Sequence, residues 1–352
     1  MSGGTGANVQ LVSRGVQDSV IIDSVKGDFP FKTVYTRSRN FAMSPKKLTY
    51  IGQIQANGTC IVPIQTLGDL LTGVWLEGPD RLAEKLDGTT FELFVGGQLV
   101  QSITTEYIKE IWNPYLADTQ AKVNSWDTAN GRMMNNTWYP LHFWFCDNDM
   151  FLPIVALSSH PVEIRISWGT SISSSDVTAI YGNYVFLDTK DRDELTKRPI
   201  DILITQVQKM PVANMKNVDL SVFNHSVKAI FFGPGGSFDS VDIMINGTYL
   251  LEQMSSTFFT SAQQYYNTKL GNSPVNLYGS GTQVTPTYTG FFVYSFSKDL
   301  TDFRHLGSCN FSMIDSAKMN INGCTWTSGI VYALNYNVFH IEKGQGGVVW
   351  GN

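Results

Sequence analysis

The chain repeats its own strand pattern after about 150 residues. FELFVGG at 91–97 and VDIMING at 241–247 both alternate apolar residues with others and end in a turn dipeptide, Gly-Gly or Asn-Gly. Three more pairs of strand-like stretches follow in the same order at nearly the same spacing: HFWF (142–145) with FVYSF (292–296), VEIRI (162–166) with AKMNI (317–321), and YVFL (184–187) with YNVFHI (336–341). Four matches in order indicate a duplicated domain, because the spacing is too long for a solenoid unit.

Most of each half has the two-residue period of strands, interrupted by turns rich in Gly, Asn, Pro and Ser. The best helix candidate covers 104–118, where Tyr107, Ile108 and Ile111 share a face and Pro114 is expected to end the helix. The sequence therefore predicts an all-β fold, with two consecutive eight-stranded antiparallel jelly-roll β-sandwiches and a few short helices in loops.

The densest cluster of charged residues, LDTKDRDELTKRPID at 187–201, lies between the two halves. Because charges of both signs at this density are costly to bury, the cluster predicts a solvated connector with the domain boundary near residue 196. The expected organisation is an N-terminal arm over 1–26, a first jelly roll over 27–196 and a second jelly roll over 197–352.

The surface is expected to be poor in charge, since only 16% of the residues are charged. An average soluble domain has about 25%, so the deficit favours a surface that neighbouring subunits cover, with a large core as the alternative. The net charge of −5 gives no electrostatic reason to bind nucleic acid. The four cysteines form no CxxC pair, and MSGGTGANVQ has no secretory pattern, so we expect free thiols and synthesis in the cytosol.

The stretch WYPLHFWFCDNDMFLPIVAL, at 138–157, is crowded with aromatic and aliphatic residues. A membrane helix needs about 20 predominantly apolar residues, whereas two prolines and the polar Asp-Asn-Asp run interrupt this one. His142 and Cys146 would align as metal ligands on a helix, but in a strand they lie about 13 Å apart, too far for one ion. The stretch is therefore predicted to be two adjacent buried strands, HFWFC and LPIVAL, joined by a polar turn.

Sequence signatures of catalysis are absent, since the chain has no nucleophile elbow, P-loop, HExxH motif or dinucleotide fingerprint. The five histidines are scattered, and GPGG at 233–236 lacks the Lys-Ser/Thr of a phosphate-binding loop. We therefore expect no enzyme activity, no cofactor and no metal. A carbohydrate-binding jelly roll stays an alternative because exposed Trp and Tyr can stack on sugars, although the eight tryptophans form no repeated cassette.

Motifs spread from residue 11 to the C-terminus carry a more specific signal. LVSRGVQDSVII (11–22) and FKTVYTRSRNFAM (31–43) resemble the opening of the major capsid proteins of nucleocytoplasmic large DNA viruses, and HFWF with LPIVAL resembles that family's PLPFWF and LPLVAL elements. IDILITQVQ and FNHSVKAIFF resemble the start of its second jelly roll, and FVYSFS, GSCNFSMIDSAKM and YALNYNVFHIEKGQGGVVW its ending. The residues that carry the resemblance are Gly15, Gln17, Asp18, Tyr35, Arg37, Asn40, Phe41, Phe143, Trp144, Phe145, Phe223, Asn224, Asn310, Phe311, Asp315, Asn335, Tyr336 and Asn337.

The resemblance implies a structural major capsid protein whose trimers form pseudo-hexagonal capsomers that tile the icosahedral shell of a large dsDNA virus. It implies contacts with other copies, neighbouring capsomers and minor capsid proteins, a possible reach of the N-terminal arm to an inner viral membrane, and no direct contact with nucleic acid. The expected location is the virion capsid, after synthesis and assembly in the host cytoplasm. A minor capsid or spike-associated jelly-roll protein is the nearest alternative.

Overall fold

The computed structural model describes residues 39–79, 81–119, 122, 137–147, 149–234, 236–269 and 290–351. The chain divides into residues 1–40, of which only Arg39 and Asn40 are described, and a compact unit from Phe41 to Asn352. Five residues of the family resemblance therefore lie outside the described part of the chain: Gly15, Gln17, Asp18, Tyr35 and Arg37.

The first half of the compact unit forms two antiparallel sheets. Sheet A has the strand order β1-β9-β4-β7, and sheet B has the order β2-β3-β8-β5-β6. The nine strands are β1 (Phe41–Leu48), β2 (Ile51–Gly52), β3 (Thr59–Ile64), β4 (Leu70–Glu77), β5 (Thr90–Val95), β6 (Gln98–Thr104), β7 (Trp138–Leu141), β8 (Val162–Ser167) and β9 (Ala179–Leu187).

The second half repeats this arrangement. Sheet C has the order β10-β18-β12-β15, with β16 paired to β12 and β19 to β18, and sheet D has the order β11-β17-β13-β14. Its strands are β10 (Ile200–Val212), β11 (Asn217–Asp219), β12 (Ser226–Gly233), β13 (Ser240–Ile245), β14 (Thr248–Met254), β15 (Phe292–Ser295), β16 (Cys309–Asn310), β17 (Ala317–Asn322), β18 (Gly329–Glu342) and β19 (Gln345–Val348).

The two halves have the same topology. Sheet C has β10, β18, β12 and β15 in the places that β1, β9, β4 and β7 have in sheet A. Likewise, the order β11-β17-β13-β14 of sheet D corresponds to β3-β8-β5-β6 of sheet B. The predicted all-β, double jelly-roll class is confirmed. Eight strands of each half are counterparts, while β2, β16 and β19 are additions to the predicted eight per sandwich in the described residues.

Turn chemistry places the hairpins where the sequence predicts them. Gly96 and Gly97 connect β5 to β6 with φ of 57° and 82°, and Asn246 and Gly247 connect β13 to β14 with φ of 48° and 79°. Positive φ at both central positions defines the type I′ turn, whose twist matches that of the paired strands.

The helices are short and lie in the connections, as expected. They are α1 (Leu82–Lys85), α2 (Thr105–Tyr107), the π-helical segment π1 (Ile108–Leu116), α3 (Thr189–Lys197), the π-helical segment π2 (Phe258–Ala262) and α4 (Gln263–Asn267). Single 3₁₀ turns cover Trp144–Cys146, Ile154–Ala156 and Phe311–Met313.

The prediction that Pro114 ends the first helix is wrong, because π1 continues to Leu116. The amide of Ala117 donates to the carbonyl oxygen of Trp112 at 3.0 Å, a five-residue step across the proline. A proline has no N–H to donate. The wider π turn continues past Pro114 through the bond from Ala117 to Trp112. The buried face is as predicted, since Tyr107, Ile108 and Ile111 are all buried.

The predicted strands HFWFC and LPIVAL are also wrong in conformation. The strand is WYPL (β7), four residues earlier, and it is the counterpart of FVYS in β15. HFWFC and LPIVAL instead contain the 3₁₀ turns Trp144–Cys146 and Ile154–Ala156. The burial is as predicted, because Phe143, Trp144 and Phe145 are 0–2% exposed.

The charged stretch between the halves is solvated, as predicted, but it is helical. None of the residues of α3 is buried, and the side chain of Asp188 caps its first turn by accepting from the amide of Thr189. Arg192 pairs with Asp69 through Nε and Oδ1 at 2.8 Å, which fixes the connector against the first sandwich.

Candidate assembly interface

One face of sheet C is buried against the first half of the chain. Lys209, Tyr332, Phe231 and Val293 form a single row across four neighbouring strands, each paired in register with the next. Tyr332, Phe231 and Val293 are at most 1% exposed, and they belong to the same hydrophobic cluster as the core of the first sandwich. The opposite face of sheet C covers the second core instead.

Two tyrosines from α2 and π1 cover this row. The ring of Tyr107 lies 5.8 Å from that of Tyr332, and the ring of Tyr115 lies 5.7 Å from that of Phe231. The hydroxyl of Tyr115 also donates to the carbonyl oxygen of Phe291. Thr104, the last residue of β6, caps α2 because its Oγ1 accepts from the amide of Tyr107. The segment that carries the two tyrosines therefore begins directly at the end of β6.

A polar clamp closes the edge of the row. Glu106 Oε2 accepts from the hydroxyl of Tyr332 at 2.7 Å and from Nζ of Lys209 at 2.9 Å. Burial raises the pKa of the Tyr332 hydroxyl well above its usual range, and the bond to Glu106 raises it further. Tyr332 therefore stays a neutral hydrogen-bond donor to the carboxylate.

The HFWF turn forms a second aromatic contact between the halves. The indole ring of Trp144 lies 5.8 Å from the ring of Phe339 in β18, and its backbone amide donates to Gln101 Oε1 at 3.0 Å. Phe143 and Phe145 stack at 5.7 Å within the same turn. Trp144 thus joins the core of the first sandwich to sheet C, and it packs on Phe145 of the same turn at 5.6 Å.

The C-terminal hairpin forms a third contact. The amide of Ser159 donates to the carbonyl oxygen of Gly344 at 2.9 Å, and the amide of Val348 donates to Gln98 Oε1 at 3.3 Å. His160 Nδ1 lies 2.9 Å from the carbonyl oxygen of Gly346. β19 therefore pairs with sheet C and also contacts the first half of the chain.

Buried charges lie beside the junction. Nζ of Lys228, which is 2% exposed, donates to the carbonyl oxygen of Asp302 at 2.7 Å. Burial lowers the pKa of Lys228 to about 8 and raises that of Asp147 to about 6, while the nearby lysine charges oppose the second shift. Hydrogen bonds from Arg304 lower the pKa of Asp302 to about 2. Of these groups, Asp302 is ion-paired, with Arg304 Nη2 2.6 Å from its Oδ2.

The remaining described motif residues do not form one site. Asn335 and Asn337 are fully buried in β18, where Asn337 Nδ2 donates to Gln206 Oε1 at 2.8 Å and Asn335 Oδ1 accepts from Gln208 Nε2 at 3.1 Å. The hydroxyl of Tyr336 donates to the carbonyl oxygen of Arg304 at 3.0 Å.

Other motif residues hold turns or face the surface. Asn310 Oδ1 accepts from the amide of Ser312, and the amide of Asp315 donates to Asn246 Oδ1, each at 3.1 Å. Phe223 and Phe311 are buried in the second core, whereas Asn40, Phe41 and Asn224 are exposed. The buried motif residues and those that hold turns therefore stabilise packing and loop shape in separate places.

His142 and Cys146, the pair weighed above as metal ligands, lie at the 3₁₀ turn. The imidazole of His142 stacks on Trp112 with ring centroids 3.4 Å apart, and burial lowers its pKa to about 3. Across the residues that the structure describes, no three His, Cys, Asp or Glu side chains group as a metal site requires. In the same residues no helix is both long and apolar enough to span a bilayer.

Sequence reasoning missed the residues that build the junction, among them Glu106, Tyr115, Lys209 and Phe231. One signal was available: the alternation in β12 and β18 leaves both faces apolar, which in an antiparallel sandwich indicates that the outer face is also covered. The fold and the junction together define a double jelly-roll protein in which buried motif residues such as Trp144 and Asn337 take part in the packing.

Comparison with known proteins gives the family. Residues 30–196 match the family model described as major capsid protein N-terminus, and residues 235–347 match that of the large eukaryotic DNA virus major capsid protein. The major capsid protein of Pyramimonas orientalis virus is 27% identical, over 99% of this chain and 100% of its own. That of Paramecium bursaria Chlorella virus 1 is 26% identical, over 97% and 99%.

Solved structures agree on the fold. The quasi-atomic model of the PBCV-1 virus capsid superposes with a TM-score of 0.74 at 22% identity, covering 92% of this chain and 100% of the other. The Faustovirus major capsid protein superposes with a TM-score of 0.65 at 10% identity, covering 90% and 93%. The chain belongs to the major capsid proteins of nucleocytoplasmic large DNA viruses, and it is a structural component of the virion capsid.

Proposed function

We propose that three copies of this chain form a pseudo-hexagonal capsomer, and that such capsomers tile an icosahedral shell. The observation that carries the proposal is the shared strand order of sheets A and C within one chain. A ring of three such chains has six similar sandwiches, so it packs on a hexagonal lattice with only three copies. The low share of charged residues, 16%, fits a surface that is largely covered by neighbours.

The finer assignments rest on the same family. We assign residues 1–26 to an N-terminal arm, 27–196 and 197–352 to the two jelly rolls, and α3 to the connector between them. The partners are further copies, neighbouring capsomers and minor capsid proteins, with the arm directed toward an inner membrane and no contact with the genome. The chain is assembled in the host cytoplasm and catalyses no reaction.

The mass of the purified chain in solution tests the capsomer. We expect light scattering to give a species of three times 39.2 kDa at micromolar concentration. A chain that stays monomeric over the whole accessible concentration range contradicts the proposal. A minor capsid role predicts a low copy number instead, which quantitative mass spectrometry of intact particles distinguishes.

A further inference from the structure

Sheet A carries the same cross-strand row as sheet C. Lys47, Tyr181, Trp75 and Pro140 are paired in register across β1, β9, β4 and β7. Their counterparts in the equivalent strands are Lys209, Tyr332, Phe231 and Val293. Lysine, tyrosine and an aromatic residue thus recur at the same places on the same face of the two sheets.

The two rows differ in what covers them. Phe231 of sheet C and Phe291, the residue before β15, are 0% exposed, but Trp138, the counterpart of Phe291 two residues before Pro140, is 44% exposed. Trp75 and Tyr181 stack at 5.6 Å with an interplanar angle of 20° and are only partly buried. A pocket of about 190 Å³ opens beside Trp75, Trp138 and Pro140. Among the described residues, the face that is buried in the second sandwich is only partly covered in the first.

The element that covers sheet C also recurs. π1 follows β6 and begins at Ile108, and π2 follows β14 and begins at Phe258, an offset of 150 that also relates Tyr115 to Tyr265. Tyr115 is 1% exposed because it packs on Phe231, whereas Tyr265 is 79% exposed. In the part of the chain that the structure describes, the second sandwich therefore presents the covering tyrosine at its surface, beside Tyr266 at 4.9 Å.

We propose that Tyr265 of one copy packs on Trp75 in sheet A of the next copy, as Tyr115 packs on Phe231 within the chain. Repeating the intrachain contact between chains is a head-to-tail contact, which closes into a ring when the rotation allows it. The inference rests on the trimer proposed above and adds the two surfaces that form its interface. The polar clamp is not repeated, since Glu106 corresponds to Ser256, so the contact between chains is mainly aromatic.

A photo-crosslinking phenylalanine analogue at position 265 tests the contact in the assembled protein. We expect intermolecular crosslinks to peptides that contain Leu70–Glu77 or Trp138–Leu141. Crosslinks that fall elsewhere in a protein of trimeric mass overturn this interface while the capsomer stands. A wild-type chain that is monomeric overturns the capsomer, and the interface with it.

Tyr265→Arg gives an independent readout. Because Tyr265 is exposed in the single chain, the variant is expected to fold, and the concentration at which the trimer dissociates should rise at least about tenfold, as for a hot-spot aromatic residue. Tyr249→Arg is the matched control, since Tyr249 is 52% exposed and its counterpart Leu99 remains 40% exposed beside the intrachain junction. Equal dissociation of the two variants overturns the inference, as does saturable binding of an oligosaccharide to Trp75 in the intact trimer.

Discussion

Trp144→Ala is expected to lower the free energy of unfolding by about 3–5 kcal/mol, the range for removing a large aromatic side chain from a core. Trp144 is 2% exposed and contacts Phe145 at 5.6 Å and Phe339 at 5.8 Å. The truncation therefore leaves a cavity in the first core and removes a contact with sheet C. Urea denaturation at fixed protein concentration measures the change.

Trp350→Ala is the control for that loss. Its side chain is 52% exposed, so truncation is expected to cost less than about 1 kcal/mol. If Trp144→Ala gives no folded protein, Trp144→Phe keeps most of the volume and its smaller loss is measurable. A cost for Trp144→Ala no larger than that for Trp350→Ala would contradict the role of the HFWF turn as a packed junction.

His142 is expected to make the protein sensitive to acid. Burial lowers its pKa from 6.5 to about 3, so between these values the unfolded chain binds a proton that the folded chain does not. The stabilising effect of the neutral imidazole is complete above pH 6.5 and is lost as the pH falls, at about 1.4 kcal/mol per pH unit. Relative to wild type, His142→Phe should therefore gain stability steadily from pH 6 to pH 4.

His142→Phe must be compared with wild type at each pH, because Asp147 changes the stability of both proteins with pH in the opposite direction. The pKa of Asp147 is raised to about 6 in the folded state. Its contribution to the free energy of unfolding is therefore complete at pH values below its unfolded pKa of 3.8, and it is lost as the pH rises through about 6. His340→Gln is the control of opposite sign, since the hydrogen bond that His340 Nδ1 donates to Asp201 Oδ1 raises the pKa of His340 and stabilises the folded state at low pH. A His142→Phe difference that does not change with pH would mean that the imidazole is protonated in the folded state.

The features that were predictable depend on local chemistry. Asn246-Gly247 and Gly96-Gly97 specify hairpins because few other residues adopt positive φ at both turn positions. The duplication was visible because counterpart strands keep their alternation and order. The charge density of 187–201 predicted its exposure, since exposure depends on charge whatever the backbone conformation.

The features that were missed depend on contacts between distant residues. A largely aromatic run such as HFWF can be buried either as a strand or as a 3₁₀ turn, and the turn makes contacts with distant residues, such as the bond from the Trp144 amide to Gln101. Tyr115 meets Phe231 across more than 100 residues of chain, so no window of sequence contains both. The counterpart rows of sheets A and C emerged only once strand register was known.

Electron microscopy of the purified chain shows how many similar sandwiches one assembly holds. We expect particles with three-fold symmetry and six similar lobes, in which Phe258–Asn267 of each copy lies over β4 and β7 of the next. Particles with two-fold symmetry, or three-fold particles whose six sandwiches are not arranged in one ring, would contradict the proposed capsomer.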